Sequence, residues 1–215
     1  MILSTGRSYV FVHIPKTGGT SLALALEARA MKDDIMLGDT PKAKKRRHRV
    51  QGIRTRGRLW KHSTLGDIDG LVPGSVMDGL FAFTLVRNPW DRAVSYYHWL
   101  RSQGFAHPAV ALAQRTDFAG FVTHPRTLGS FEKTPAAHYM RRANGNEQCS
   151  AYIRIEHFNE DAASLEAHLG FALTLPVANT SQRARDYRNY YTDQSAETLA
   201  NSCACDIARF GYAFG

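Results

Sequence analysis

Lys16 stands just ahead of two glycines and two hydroxyls in the stretch Pro15-Lys16-Thr17-Gly18-Gly19-Thr20-Ser21. Residues of these types can hold an anion. The glycines leave backbone N–H groups unobstructed, the hydroxyls add donors, and the lysine supplies a full positive charge. An apolar run, Tyr9-Val10-Phe11-Val12-His13-Ile14, precedes the stretch, and Leu22-Ala23-Leu24-Ala25-Leu26-Glu27 follows it. That order predicts a buried strand, a glycine turn and a helix, with orphan amides at the positive end of the helix dipole. A phosphate is the anion such a cradle suits best. The nucleoside-triphosphate loop, G-x-x-x-x-G-K-[ST], places its lysine after the glycines. Here the lysine comes first, so that motif is not matched, and an ordinary strand-to-helix turn is the plain alternative.

A second junction repeats the chemistry. Leu80-Phe81-Ala82-Phe83-Thr84-Leu85-Val86 has the length and apolar content of a buried strand. It ends at Arg87, and Asn88-Pro89 offers an N-cap followed by proline at the first helical position. Ala93, Val94, Tyr97 and Leu100 then mark one apolar helix face. Arginine at a strand tip can grip a phosphate bidentately, and Ser95, two turns on, can add a hydroxyl donor. A ligand with two separate phosphate groups would use both junctions.

The elements that must position these groups follow the same alternation. Tyr152-Ile153-Arg154-Ile155 reads as a third strand. Asn159 reads as the cap of a helix ending at Gly170, Asp117 to His124 as a short helix, and about Gln194 to Phe210 as a last helix stopped by Gly211. Strands alternating with helices predict an α/β fold with a mostly parallel sheet and ligands at the strand C-terminal ends.

Composition narrows the class. The 215 residues, 44% hydrophobic and 21% charged, suit one soluble domain spanning 1–215. No apolar run is long enough to cross a bilayer, and no secretion signal is evident. Three cysteines make a poor disulfide framework, and with no clustered His partner they make no zinc site either; a cytoplasmic, reducing compartment fits them best. The net charge of +8 is local. Lys42, Lys44, Lys45, Arg46, Arg47, Arg49, Arg54, Arg56 and Arg58 carry nine of the 27 cations without one acid, leaving 18 cations against 19 acids elsewhere. The excursion at about 33–58 therefore reads as a basic, mobile, solvated loop or as a patch for an acidic ligand.

The pairing of Ile14-Pro15-Lys16-Thr17-Gly18-Gly19-Thr20-Ser21 with Val86-Arg87-Asn88-Pro89-Trp90-Asp91-Arg92-Ala93-Val94-Ser95 resembles the carbohydrate sulfotransferases. That group includes heparan-sulfate 2-O-sulfotransferases and bacterial relatives. The resemblance extends through Lys61-His62-Ser63-Thr64, Arg154-Ile155-Glu156, Asn179-Thr180-Ser181-Gln182-Arg183 and the ending Asp206-Ile207-Ala208-Arg209-Phe210-Gly211-Tyr212. It implies a P-loop-like three-layer fold. It also implies transfer of a sulfuryl group from 3′-phosphoadenosine-5′-phosphosulfate (PAPS) to a hydroxyl, with 3′,5′-bisphosphoadenosine (PAP) as product and no metal required. By the same resemblance residues 15–21 hold the 5′-phosphosulfate, Arg87 and Ser95 the 3′-phosphate, and Asn179, Ser181 and Arg183 close over the nucleotide. His62 matches the general base, and the acceptor is a saccharide or glycoconjugate. The family's better-known animal members are longer and membrane-anchored.

The residue types agree with that chemistry. Lys16 can neutralise charge growing on a departing phosphate. His62 can accept a hydroxyl proton near neutral pH, helped by Lys61 if the two are close. Read without the resemblance, His62 is a surface histidine beside a basic run. His13 reads as a packed strand histidine, His98 as core or site-facing, and Glu156 as an orienting group or an ion-pair partner. Two further readings stay open: a P-loop-type kinase using ATP and Mg²⁺, and a nucleic-acid-binding protein using the 42–58 segment.

Overall fold

The computed structural model describes residues 1–176 and 183–215. In chain order the strands are β1 (Ile2–Ser4), β2 (Tyr9–Val12), β3 (Ile35–Met36), β4 (Phe81–Val86) and β5 (Ala151–Arg154). The longer helices are α1 (Gly19–Ala28), α2 (Pro41–Arg46), α3 (Gly74–Asp78), α4 (Pro89–Arg101), α5 (Pro108–Arg115), α6 (Phe118–Val122) and α7 (Pro125–Lys133). After them come α8 (Ala136–Tyr139), α9 (Phe158–Asp161), α10 (Ala163–Leu169), α11 (Asp193–Ser202) and α12 (Ala204–Phe210). The chain forms two compact units, residues 1–86 with 136–178 and residues 87–135 with 179–215.

The first unit holds the sheet, in the order β3-β1-β2-β4-β5. β2, β4 and β5 run parallel, with Tyr9 opposite Phe81 and Phe83 opposite Ala151. β1 returns antiparallel along β2, and β3 pairs antiparallel with β1. The parallel centre is as the alternation predicts, whereas the antiparallel edge has no counterpart in that reading. Two and three residues are too few to show a period.

Side chains from β2 and β4 are buried on both faces, as a sheet in a layered α/β fold requires. Tyr9, Phe11, Phe83, Leu85 and Ile153 join Leu22 and Leu26 of α1 and Leu165 of α10 in one core. Full burial of each such leucine contributes about 2 kcal/mol. β2 stops at Val12, two residues before the expected Ile14. The Thr84 hydroxyl donates to the Val12 carbonyl at 2.7 Å, and the chain then leaves the sheet towards Pro15.

The basic stretch is folded. Thr40 caps α2 through the Ala43 amide, and a 3₁₀ turn follows at Arg47–Val50. Arg46 donates to the carbonyls of Met31 and Asp34, Arg49 to those of Lys32 and Asp34, and Lys42 to that of Glu27. Three of its cations thus hold down the turn that follows α1.

The second unit is helical. Asn88 accepts from the amides of Trp90 and Asp91, and Pro89 opens α4, as the sequence predicts. Trp90, Val94, Tyr97, Phe118, Phe121 and Leu199 form its core. Two boundaries differ from expectation. Asn159 does not cap a helix, because α9 already begins at Phe158 after a 3₁₀ turn, although Gly170 does end α10 in the left-handed conformation. The last helix is two, α11 capped by Thr192 and Ser195 and α12 beginning after Cys203.

Candidate active site

In the first unit the turn between β2 and α1 has the backbone of an anion cradle. Lys16 takes φ 68°, a left-handed value rare outside glycine, and Gly18 takes φ 85°. α1 starts without a side-chain cap, and the Ser21 amide reaches back to the Gly18 carbonyl at 3.0 Å. The Thr17 hydroxyl donates to the Ile14 carbonyl at 2.9 Å and is buried, so this side chain braces the turn. Pro15, Lys16, Thr20 and Ser21 are half-buried. An uncapped helix start beside a lysine and two glycines fits an anionic phosphate ester.

His13 fills the space behind this turn. A Cβ on Gly19 would lie 2.3 Å from His13 Cδ2 and 2.5 Å from its Nε2, so the imidazole rests directly on the Gly19 Cα. The other neighbour of that imidazole is His62, ring to ring at 4.7 Å and edge-on. His62 Nδ1 lies 2.7 Å from the His13 carbonyl oxygen. A carbonyl only accepts, so Nδ1 carries the proton and Nε2 keeps its lone pair. Burial lowers the His62 pKa to about 4, opposed by the bond to the His13 carbonyl and assisted by the Lys61 charge. His13 is pushed well below 6.5, chiefly by burial. Both imidazoles are neutral at pH 7.

Lys61 itself is paired with Asp39 at 2.5 Å. Trp60 meets the His62 ring edge-on at 5.0 Å. Ser63, fully buried, accepts from the Trp60 amide, and its hydroxyl lies 2.8 Å from the Arg58 carbonyl. The segment bearing His62 is therefore held at both ends.

In the second unit Arg87, Asp91 and Ser95 follow one another at four-residue spacing from the start of α4. Arg87 Nε and Nη2 donate to one Asp91 oxygen at 2.8 and 2.6 Å. Arg183 Nη2 stands 2.7 Å from the other oxygen. Two guanidiniums thus converge on one carboxylate. Arg183 Nη1 and His98 Nε2 are buried with no hydrogen-bond partner among the described residues. His98 titrates below its usual range because of burial, then Arg183 and Arg101. Ser181 and Asn179 lie outside the described residues. Glu156 is exposed, and Arg154 pairs with Asp161.

The sequence model of the sulfotransferase family matches residues 1–209. The chain belongs to the sulfotransferase family. A solved structure of mouse sulfotransferase SULT7A1 complexed with PAP superposes with a TM-score of 0.50 at 16% identity, over 95% of this chain and 85% of that one, a likeness of fold. No curated protein matches this sulfotransferase significantly in sequence.

Two residues make contacts that their sequence context does not signal, one in each unit. Asp91 organises both arginines, and only its spacing from Arg87 could have pointed to it. His13 links the cradle to His62 although its apolar flanks read as plain packing. Among the described residues no helix is long and apolar enough to cross a membrane, and no group of three metal-binding side chains occurs.

Proposed function

We propose that this sulfotransferase transfers a sulfuryl group from PAPS to a hydroxyl of a carbohydrate acceptor, with His62 as general base and Lys16 beside the departing phosphate. One observation carries the reading: a neutral imidazole whose Nδ1 proton is committed to a carbonyl, one histidine's width from an uncapped glycine turn. The PAP bound by the mouse enzyme of similar fold supports the choice of donor.

When bound, PAPS supplies an activated S–O bond, and the acceptor oxygen replaces the phosphate oxygen on sulfur in line. The protein's part is mostly electrostatic and positional. Residues 15–21 hold the 5′-phosphosulfate on backbone amides, with the Lys16 ammonium offsetting charge as the phosphate departs. His62 Nε2 takes the acceptor's hydroxyl proton. Arg87 and Ser95 take the 3′-phosphate, Asn179, Ser181 and Arg183 close over the nucleotide, and Asp91 pairs with the guanidiniums of Arg87 and Arg183. The three cysteines are free, in keeping with a cytoplasmic location.

Thermal-shift titration tests the donor assignment. PAP should raise the melting temperature more than ATP with Mg²⁺, and the reverse order would favour the kinase reading. Labelled PAPS incubated with a glycan panel, read by mass shift, then reports transfer and the acceptor.

A further inference from the structure

The acceptor side of the site has its own recognition element. Trp60 is 44% exposed, unusual for so large an apolar side chain, yet its ring packs on His62 at 5.0 Å. The Arg58 guanidinium lies over that indole, 5.6 Å from the ring centroid. The buried Ser63 ties the Arg58 carbonyl and the Trp60 amide into one turn. An aromatic surface, a cation and a proton-accepting imidazole therefore lie side by side.

Acids do stand nearby, Asp39 paired with Lys61 and Asp67 accepting from the Thr64 amide, but cations dominate the preceding segment. Lys42, Arg46 and Arg49 are spent on backbone carbonyls, but Lys44, Lys45, Arg47, Arg54 and Arg56 are exposed along the same segment. We propose that Arg58 and Trp60 form an acceptor subsite for an anionic saccharide, whose carboxylate or sulfate pairs with Arg58 while a sugar face lies on Trp60. This rests on the reading of His62 as the base that receives the acceptor hydroxyl. Guanidinium suits such planar oxyanions, and lying on an aromatic ring presets its direction. Single-stranded nucleic acid is the other polyanion to weigh. It uses successive aromatic platforms, whereas here one tryptophan sits on the base itself.

Binding can be read without turnover. A uronic-acid-bearing oligosaccharide should quench the intrinsic tryptophan fluorescence saturably, and its neutral counterpart should bind about tenfold more weakly. Trp60→Phe should abolish the quench, Arg58→Gln should weaken the acidic ligand about tenfold while leaving the neutral one unchanged, and circular dichroism should confirm both fold. Equal binding of acidic and neutral saccharides, a quench that survives Trp60→Phe, or tighter binding of oligothymidylate than of the saccharide would each overturn the subsite. Loss of PAP binding in the wild-type protein would instead count against the donor assignment, and the fluorescence result would still decide the subsite.

Discussion

His62 Nδ1 sits 2.7 Å from the backbone carbonyl oxygen of His13. The bond uses a main-chain acceptor, which cannot exchange its role with a donor, so one tautomer of His62 is enforced. The basic nitrogen is thereby fixed before any acceptor arrives. The same His13 ring lies against Gly19, so one residue touches both the glycine turn and His62.

Removing His62, the proposed base, should separate chemistry from binding. His62→Asn is expected to lower kcat by roughly 10²- to 10⁴-fold while the melting shift produced by PAP is retained. With its pKa near 4, His62 stays unprotonated through the neutral range. The rate should therefore be flat from pH 6 to 8 and decline only towards pH 4. A midpoint near 6.5 would show that the imidazole is solvated and not held as described.

Stability should follow the same groups. His62 and His13 both titrate below 6.5 in the folded chain and near 6.5 when unfolded. Between these values the unfolded chain binds protons that the native chain refuses. The stabilisation from their neutral burial is complete above about pH 6.5 and is lost as pH falls towards 4. Chemical denaturation at pH 7.5 and pH 5 should show the drop, and His62→Asn should shrink it.

Gly19→Ala should be damaging in a way that names its cause. Its methyl would lie 2.3 Å from the His13 ring, so the cost should be about 1–3 kcal/mol with weakened PAP binding. In a His13→Ala background the same change should cost much less. Additive effects of the two changes would show that His13 does not rest on the turn.

Lys16 occupies a conformation that costs an L-residue about 1–2 kcal/mol. Lys16→Gly should therefore leave the fold as stable or stabilise it by up to about 1 kcal/mol, while turnover falls steeply. A variant that is both less stable and fully active would contradict that assignment.

Asp91 holds apart two cations that otherwise repel. Asp91→Asn should destabilise the protein by about 2 kcal/mol, since the arginines lose their shared counter-ion but keep some solvent. PAP should then restore part of the loss, giving a larger melting shift than in wild type. An unchanged shift would place the 3′-phosphate elsewhere.

Both strand-to-helix junctions were legible because glycine, proline and asparagine mark backbone geometry directly: Gly18 needs its positive φ, and Asn88 and Pro89 open α4 as their chemistry dictates. The edge strands β1 and β3 were hidden by their length. The fold of the basic stretch was hidden by its partners, because Arg46 and Arg49 bind carbonyls, which every residue possesses and no sequence pattern advertises. The start of the last helical stretch was legible near Gln194, close to the Thr192 cap, but the interruption at Cys203 had no glycine or proline to betray it.

That interruption gives the C-terminal region chemically distinct thiols. Cys203 is buried with its thiol pushed up to about 12, chiefly by desolvation, while Cys205 lies exposed on α12. A maleimide dye at neutral pH should consequently mark α12 through Cys205 and spare Cys203. The break between α11 and α12 thereby leaves a ready attachment point for a spectroscopic reporter on the last helix, with the core cysteine untouched.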